Sequence, residues 1–543
     1  NPESVRRAFE NTAQWIDDAS PWAQGAGLIQ TPAAFDALKR DVSRNAELYR
    51  LEATLSNGNR GVYLREPLEA GDLAQPQEYR VTVKPLFHPD ATSQEKVDFR
   101  IRLELHSTED WVQVGPESTL SSVGDMISVF VDPNELEPGA HYAEVQGFDP
   151  QHPERGPLFR LPVTVLRAVP TAIVLRVPST IIGKDAQRFG NVDDDHDLEL
   201  ANGWMEEHIE DMAPGRIERR FIAVPDGATW VDLRFQMEPH ENGGRSRMFM
   251  VHALQAIHGL TNRDGEKNNV VILEPEVPKV VSFPVQPGRT MELAIAQYWS
   301  SLGGCDLNYE LTFHGLTPDQ REVRLQPGDE AVQVEVATPL QYEKLAPSAK
   351  LTSVRRLVKP TSAKITQLAE DRDGFDENRR FHLLELAYPI EQKSSGSVTP
   401  SFAKTGDLLY DSEYGGHVWA IFEKNGRRVA TDDIWPDAVS LGKGSFTLKL
   451  WLRHDDRSKL ESLKSSVMSL DLSLSSPVSL SVYSTLIDAM QGGAQFHSRW
   501  LEPGEKQRLF VANVSSAPSG TLAGDILLGS ITYGEKGTHD GAG

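Results

Sequence analysis

Cysteine is the scarcest residue of this chain: Cys305 is the single cysteine among 543 residues. One thiol excludes an internal disulfide and a zinc site built on several cysteines. The shortage is typical of a reducing compartment, so we expect a cytoplasmic location, although a low-cysteine bacterial protein would have the same composition.

Long apolar runs and positive charge are also scarce. No stretch approaches the about 18 consecutive apolar residues that indicate a membrane-spanning helix. Lys and Arg number 55 against 78 Asp and Glu, which gives a net charge of −23. Most of such a surface would repel nucleic acids and anionic membranes, so we expect neither as a partner.

The first residues lack the features of a signal peptide. The chain begins Asn1-Pro2-Glu3-Ser4, with no basic region and no apolar core. It opens almost directly into a helical pattern, and we therefore expect a piece of a longer protein.

Catalytic motifs are missing as well. The sequence contains no G-x-S-x-G elbow, no P-loop, no H-E-x-x-H and no G-x-G-x-x-G after a strand. Ser445 follows Gly444 at the start of an alternating strand, where a turn is favoured over a nucleophile. His240-Glu241 has no second His four residues after the first. The residues alone predict no self-sufficient active site, no cofactor and no catalytic or metal-binding residue.

An acidic loop matches a calcium site only in part. Asn191, Asp193 and Asp195 occupy the first three ligand positions of an EF-hand loop. His196 stands where that loop needs Gly, and Asn202 where it needs a bidentate Glu. A solvated loop is favoured over a calcium site.

A second group of acids, Asp371, Asp373 and Asp376 around Gly374, has turn residues but the wrong spacing for calcium, so a loop is again favoured. His252 and His258 flank an apolar stretch and are read as ordinary helix or strand-end histidines.

Cys305 and Trp299 each allow two interpretations. Cys305 follows Gly303-Gly304 in an expected loop and has no His or Lys beside it to lower its pKa, so an inert residue is favoured over a reactive thiol. Trp299 and Tyr298 could line a sugar-binding face, but core filling is favoured because Ile295 and Leu302 lie close in sequence. The sequon at Asn513 is what chance would give.

The length predicts about three to five domains, and helical spacing is confined to short stretches. Val5, Ala8, Phe9 and Thr12 recur at helical intervals, with Pro2 in the first turn. A Gly-rich turn at Trp22–Ile29 precedes a second helix, with Thr31 as its expected N-cap and Pro32 as its first helical residue. A short surface helix is expected within Asp456–Ser466.

From about Tyr49 the apolar residues recur at every second position. This alternation predicts half-buried antiparallel strands, with one face on a core and the other on water. The alternating sets include Phe99–Leu105, Val231–Phe235, Met291–Ile295, Tyr309–Phe313, Val332–Val336 and Phe446–Leu452. The bulk of the chain is therefore predicted to form consecutive β-sandwiches.

The first forty residues resemble the end of a subtilisin-type serine protease domain. The resemblance rests on Ser4–Ala13, Ala23–Gln30 and the helix at Ala33-Ala34-Phe35. In that family the preceding helix opens with the catalytic Ser.

Further stretches narrow the resemblance to the tripeptidyl-peptidase II family, in the family's order. They are Gly61–Pro67, His141–Asp149, Gly156–Pro162, Phe221–Trp230, Tyr309–Gly315, Tyr342–Pro347 and Leu408–Glu413.

The resemblance implies an exopeptidase that removes tripeptides from free N-termini of oligopeptides, using an Asp-His-Ser triad and an oxyanion Asn. None of these residues falls on this chain, so the segment is expected to be inactive alone and to serve as scaffold and assembly region of a homo-oligomer.

The family resemblance also implies a domain order: the C-terminal helices of the peptidase domain at 1–46, then an Ig-like sandwich at 47–169. A galactose-binding-like sandwich at 170–317, a third sandwich at 318–534 and a tail at 535–543 follow.

Two rival interpretations remain. One is a different multidomain subtilisin, secreted or at the cell surface, with trailing sandwiches; the lack of disulfides and the ordered family matches oppose it. The other is a carbohydrate-binding or adhesion protein, which an exposed aromatic platform around Trp299 would support and burial of that ring would oppose.

Overall fold

The computed structural model describes residues 2–17, 19–42, 49–71, 74–88, 91–169, 204–240, 246–257, 265–301, 303–320, 322–325, 329–369, 374–376, 379–405, 414–514, 516–518 and 521–534. The chain divides into two compact units. The first comprises residues 1–171, 217–224 and 288–294, and the second comprises 172–216, 225–287 and 295–543.

The first unit begins with the helices Pro2–Thr12, Pro21–Gln24 and Thr31–Val42. The Gly-rich turn predicted over Trp22–Ile29 is present only in part: residues 22–24 belong to the short helix Pro21–Gln24, and the turn follows, with φ +59° at Gly25 and φ +113° at Gly27. A Cβ on Gly27 would lie 2.4 Å from the carbonyl oxygen of Gln14, so only glycine allows the bridge between Gln14 and Leu28.

A two-sheet sandwich follows in the same unit. Its strands bury alternate residues, such as Leu103 and Leu105, while Arg102 and Glu104, which alternate with them, face outward. In spatial order, one sheet contains Tyr49–Leu55, Gln77–Phe87, Asp125–Val131 and Val112–Val114. The other contains Val62–Leu64, Phe159–Arg167, Gly139–Phe148, Arg100–Ser107 and Glu117–Ser121.

The first unit also holds strand Ile217–Ala223 and the segment 288–294, which opens strand Thr290–Gln297. Four short α-helices were not anticipated: Pro21–Gln24, Pro67–Ala70 and Ser93–Asp98 here, and Leu486–Gln491 in the second unit. Each is too short to display a helical period, but Ser93–Asp98 carries a capping box made by Thr92 and Glu95.

The second unit opens with a sheet whose strands are, in spatial order, Trp204–Met212, Cys305–His314, Trp230–Pro239 and Lys279–Pro284. Strands Arg247–Leu254 and Glu266–Leu273 pair with each other as an antiparallel ladder. Phe235, Phe249 and Phe313 are fully buried here.

Two five-stranded sheets enclose another core, in which Trp419 and Tyr388 are the largest fully buried side chains. One sheet contains Val439–Leu441, Gly396–Ser401, Met468–Leu480, Ser348–Val358 and Ile526–Thr532. The other contains Ser362–Gln367, His382–Gln392, Gly444–His454, Gly416–Glu423 and Arg428–Asp432. The predicted helix within Asp456–Ser466 is present as Arg457–Ser462, capped by Asp456.

Smaller sheets bury a separate apolar cluster around Val334, Leu345 and Leu509. Their strands are Thr317–Pro318, Ala331–Ala337, Lys506–Ala512 and Val482–Tyr483, then Glu343–Leu345 with Arg499–Leu501. A hairpin pairs Gly374–Asp376 with Arg379–Arg380.

The predicted fold class is confirmed: the chain is mainly β, built from antiparallel sheets that follow a short helical segment. One strand pair departs from it, because Val62–Leu64 runs parallel to Val163–Val165. The domain boundaries remain predictions. None of the described helices is long and apolar enough to cross a bilayer.

Candidate functional site

The helical segment is fixed to the first sandwich by Asn11. Its side-chain amide donates hydrogen bonds to the carbonyl oxygens of Arg155 at 2.8 Å and Pro157 at 3.0 Å. Its own oxygen accepts a hydrogen bond from Arg160 at 3.3 Å. Gly156 permits this approach, because a Cβ there would lie 2.7 Å from the Asn11 amide nitrogen. Two motifs on which the family resemblance rests therefore meet at this contact.

Trp22 makes a second attachment to the same sandwich. Its indole N–H donates to Thr164 Oγ1 at 3.3 Å, and its ring packs edge-on against Tyr142 with centroids 6.1 Å apart. An aromatic pair of this geometry contributes about 0.5–1.5 kcal/mol beyond its buried area. The segment is thus held at two points.

Glu144 lies between these two attachments. It accepts hydrogen bonds from Arg160 (2.6 Å), Gln146 (2.6 Å) and the Tyr142 hydroxyl (2.8 Å). Burial alone would raise the pKa of Glu144, but the hydrogen bonds from Gln146, Arg160 and Tyr142 outweigh it and lower that pKa. Burial and Glu144 together raise the pKa of Tyr142. Glu144 therefore stays ionised and Tyr142 stays protonated at neutral pH.

The helical segment also has large apolar side chains that are open to solvent. Six are each more than two-fifths exposed: Trp15, Ile16, Trp22, Leu28, Ile29 and Phe35. So many exposed large apolar side chains in one short segment are typical of a contact site, because soluble monomeric proteins seldom expose large apolar patches.

A buried ionic contact explains the Gly61–Pro67 motif. Arg65 is buried and lies 4.0 Å from Glu292. Glu66 accepts a hydrogen bond from the backbone N–H of Thr290 at 3.0 Å, and the Thr290 hydroxyl donates to the Arg65 carbonyl oxygen at 2.6 Å. The motif fastens segment 288–294 within the first unit.

A histidine between two acids joins two motifs in the second unit. His314 Nδ1 lies 2.8 Å from Glu343, and its Nε2 lies 3.4 Å from Asp232. Glu343 also accepts a hydrogen bond from the backbone N–H of Gly315 at 3.0 Å. His314 and Glu343 are both buried. The end of strand Cys305–His314 is thereby tied to strand Glu343–Leu345.

This environment changes the charge of His314. Burial alone would lower its pKa, but the hydrogen bonds to Asp232 and Glu343 outweigh burial and raise the pKa to about 9. A raised pKa means that protonated His314 stabilises the folded state fully below about pH 6.5, and that this contribution is lost as the pH rises through about 9.

We therefore expect hydrogen exchange of strand Cys305–His314 to show a loss of up to about 3 kcal/mol of opening free energy between pH 6.5 and 9.5. Exchange rates are corrected for their intrinsic pH dependence. Opening free energy that stays constant across this range would contradict the charged state assigned to His314.

Cys305 lies at the start of a strand rather than in the expected loop, and its burial favours the predicted unreactive thiol. It is fully buried, and its thiol faces Gln297 Oε1 at 3.6 Å. Burial raises the pKa of the thiol to about 11. A thiol needs its ionised form to react.

We expect the folded chain to show no reaction with Ellman's reagent at pH 8 over an hour, and one thiol per chain to react in about 6 M guanidinium, a level that unfolds even very stable domains. The Cys305→Ser variant supplies the blank. Rapid labelling of the folded chain would contradict the inert state of this thiol.

Trp299 is not in a core, which corrects the sequence prediction. Its side chain is 79% exposed. Strand Thr290–Gln297 ends before it, and the hydrogen bond from Ser301 N to Tyr298 O closes a turn that points Trp299 outward. Tyr298 is half-buried. The ring has the exposure that the carbohydrate-binding alternative requires, but its sequence neighbour does not extend it into a platform.

The remaining candidates divide between ordinary contacts and undescribed residues. His252 lies on a strand and pairs with Glu266 at 2.9 Å. Ser445 donates to Glu391 at 2.7 Å, and the Asn513 amide donates to the Asp329 carbonyl oxygen at 3.1 Å. Outside the described residues lie Asn191–Asp197, Asn202, His258, Asp371, Asp373 and the side chain of Asp376.

The structure also contains a threonine–histidine contact that no sequence motif indicates. Thr405 Oγ1 lies 3.0 Å from His417 Nε2. Both side chains are buried, and burial lowers the pKa of His417. A peptide could not reach this pair, so we assign it to the fold. Across the residues that the structure describes, no three His, Cys, Asp or Glu side chains could together hold a metal ion.

The sequence of this chain matches known proteins along most of its length. Three sequence profiles match: "Tripeptidyl-peptidase II, first Ig-like domain" at 49–166, "TPPII, galactose-binding domain-like" at 212–303 and "Tripeptidyl peptidase II" at 338–520. Tripeptidyl-peptidase 2 of Arabidopsis thaliana is 32% identical, over 98% of this chain and 37% of its own length. The Drosophila melanogaster protein of that name is 29% identical, over 99% of this chain and 36% of its own length.

The fold of this chain also matches that of a solved structure from the same family. The crystal structure of tripeptidyl peptidase 2 superposes with a TM-score of 0.81 at 28% identity, covering 99% of this chain and 43% of that one. The chain thus spans a little over a third of the length of its curated relatives. The shared fold and the ordered matches along the sequence place the chain in the tripeptidyl-peptidase II family.

Proposed function

We propose that this chain is the scaffold and assembly region of a subtilisin-type serine peptidase that releases tripeptides from the free N-termini of oligopeptides. The family membership supports the peptidase activity of the whole protein. The segment itself carries no assigned triad residue, and we expect it to be inactive alone.

The observation that carries the scaffold role is the pairing of attachment and exposure in the helical segment 2–42. Asn11 and Trp22 attach it to the first sandwich. Trp15, Leu28 and Phe35 remain exposed on it. We propose that the rest of the peptidase domain covers these apolar side chains, so that the sandwiches hold that domain in place.

In the proposed reaction, the serine attacks the scissile carbonyl while a histidine takes its proton, and an asparagine donates a hydrogen bond to the developing oxyanion. The chain described here would contribute positioning. Its attachment through Asn11 would fix the last helices of the peptidase domain, on which the geometry of the active site depends.

A tripeptide-amide assay tests this function. The chain 1–543 and a longer chain that includes the upstream region are compared with Ala-Ala-Phe-amidomethylcoumarin as substrate. We expect release of the fluorophore by the longer chain alone, and its loss when the substrate N-terminus is acetylated. Equal hydrolysis of the acetylated substrate would contradict a tripeptide exopeptidase, and hydrolysis by 1–543 would contradict the scaffold role.

We also propose that the whole protein forms a homo-oligomer in the cytoplasm. The family resemblance supports stacking of dimers, and the single cysteine is typical of a reducing compartment. Light scattering of the longer chain should give a mass of several copies at micromolar concentration. A monomer mass at all concentrations would contradict the assembly role.

A further inference from the structure

Trp299 is displayed to solvent more completely than the other exposed tryptophans of the described residues. Its 79% exposure compares with 45% for Trp15 and Trp22 and 39% for Trp500. Neither the fold nor the proposed peptidase function uses this ring. A tryptophan that removes so little of its surface from water contributes little to folding.

The turn that carries Trp299 is held firmly. The buried side chain of Gln297 donates to the carbonyl oxygens of Ser301 at 2.7 Å and Gly303 at 2.8 Å. Buried Arg247 donates to the Gly303 carbonyl oxygen at 3.2 Å. Met248 N donates to the Ser301 hydroxyl at 2.8 Å. The backbone turn that carries the ring is therefore held in place before a partner binds, which lowers the entropy lost on binding.

A second turn, 213–216, lies against the first. A Cβ on Gly215 would be 4.0 Å from Trp299 Cβ, and Gly215 N donates to the Gln297 carbonyl oxygen at 2.9 Å. The guanidinium of Arg216 donates to the carbonyl oxygens of Glu210 and Asp211, each at 2.8 Å. Arg216 thus lies folded against this strand end.

Exposed carboxylates are concentrated at this end of the sheet. The Asp211 side chain is 78% exposed on a residue with φ +51°, and it pairs with His240 only at 3.7 Å. His240 is shared with Asp306 at 2.7 Å. Exposed Glu210 and Glu238 lie on the adjoining strand ends. Turn 213–216 follows the strand end that carries Glu210 and Asp211, and it lies against the Trp299 turn. A cation that approaches this corner of the sheet would be attracted by the negative charge of the acids and by the face of the ring.

We propose that the Trp299 turn is a docking surface for a protein segment that presents arginine or lysine side chains. The ring supplies a face on which a guanidinium or ammonium group would stack, and the exposed acids at this end of the sheet, Asp211 among them, supply a negative potential that favours a cationic partner. A sugar would require a flat or concave platform, whereas this ring stands out from a turn and Tyr298 beside it is half-buried. The surface therefore fits a partner that closes over it.

The test uses a fluorescein-labelled tetra-arginine peptide and the full chain, by fluorescence anisotropy at about 0.15 M salt, where long-range attraction is screened. We expect Trp299→Ala to weaken binding about tenfold, as loss of a stacked cation and its desolvated contact would. Trp299→Phe should retain most of the affinity. Trp500→Ala is the matched control on another exposed ring and should bind as the unchanged chain does.

Three results would overturn the proposal. Unchanged affinity of Trp299→Ala would show that the peptide binds by net charge alone. Full affinity of Trp299→Leu would show an apolar contact without cation stacking. Trp299-dependent binding of cellohexaose, with no such dependence for the peptide, would assign the surface to carbohydrate. Melting curves of each variant, expected to match the unchanged chain because the ring is exposed, keep loss of folding separate from loss of binding.

Discussion

We expect replacement of His314 with alanine to lower the opening free energy of strand Cys305–His314 by about 3–5 kcal/mol, since removing one partner of a buried ion pair leaves a buried charge uncompensated. In this variant Glu343 stays buried and keeps the hydrogen bond from the Gly315 N–H at 3.0 Å. It loses the positive charge of the His314 ring, which neutralises it in the unchanged chain. Asp232, 3.4 Å from the ring, would lose that cation as well. Hydrogen exchange of that strand and of Glu343–Leu345 at pH 7 measures the loss.

His252 supplies the matched control. It also pairs with a glutamate, Glu266 at 2.9 Å, but the two side chains are 29% and 30% exposed. Exposed pairs contribute about 0–1 kcal/mol, so His252→Ala should change exchange only slightly. Equal effects of the two substitutions would contradict the special role of the His314 contact. The His314 variant should also lose the decline of stability between about pH 6.5 and 9.

Replacing Gly27 with alanine releases segment 2–42 from its folded arrangement. A Cβ would lie 2.4 Å from the Gln14 carbonyl oxygen, at a residue with φ +113°. Backbone strain and collision together cost about 4 kcal/mol or more. The bridge between Gln14 and Leu28, with hydrogen bonds of 2.9 and 2.8 Å, would open. Limited proteolysis should then cleave within 2–42 at least about tenfold faster.

Gly25→Ala isolates the collision from the backbone strain. Gly25 also has a positive φ, of +59°, but no atom lies within 4 Å of the place that a Cβ would take. It should cost about 1–3 kcal/mol, the strain alone. Similar cleavage rates for the two variants would show that the contact with Gln14 does not limit the segment.

The strands were predictable because successive side chains of a strand point to opposite faces of the sheet, so a sheet with one buried face shows alternating apolar and polar residues in its sequence. Tyr309, Leu311 and Phe313 are all buried, and the strand runs from Cys305 to His314 around them. The pattern fails where a strand ends. Trp299 continues the phase of Ile295, but a turn intervenes and changes the direction of the chain. Sequence spacing does not show where such a turn begins.

The buried ionic contacts were not predictable as pairs, because their partners are distant in sequence. One sign was available: Glu343 shares a strand face with buried Leu345, and an acid on a buried face requires a partner. Nothing in the local sequence identifies that partner as His314. Asn11 gave no sign, since its role depends on the close approach of Gly156.

Segment 2–42 is proposed to complete a peptidase domain whose nucleophile lies upstream, and the whole functional assignment depends on that nucleophile. Fluorophosphonate labels a nucleophilic serine of a longer chain, and mass spectrometry of the labelled peptide identifies that serine. We expect one labelled serine, in a Gly-Thr-Ser-Met-type motif roughly 20–30 residues before Asn1, and no label on the chain 1–543. A labelled serine within 1–543, or an upstream region that takes no label while folded, would contradict the proposal.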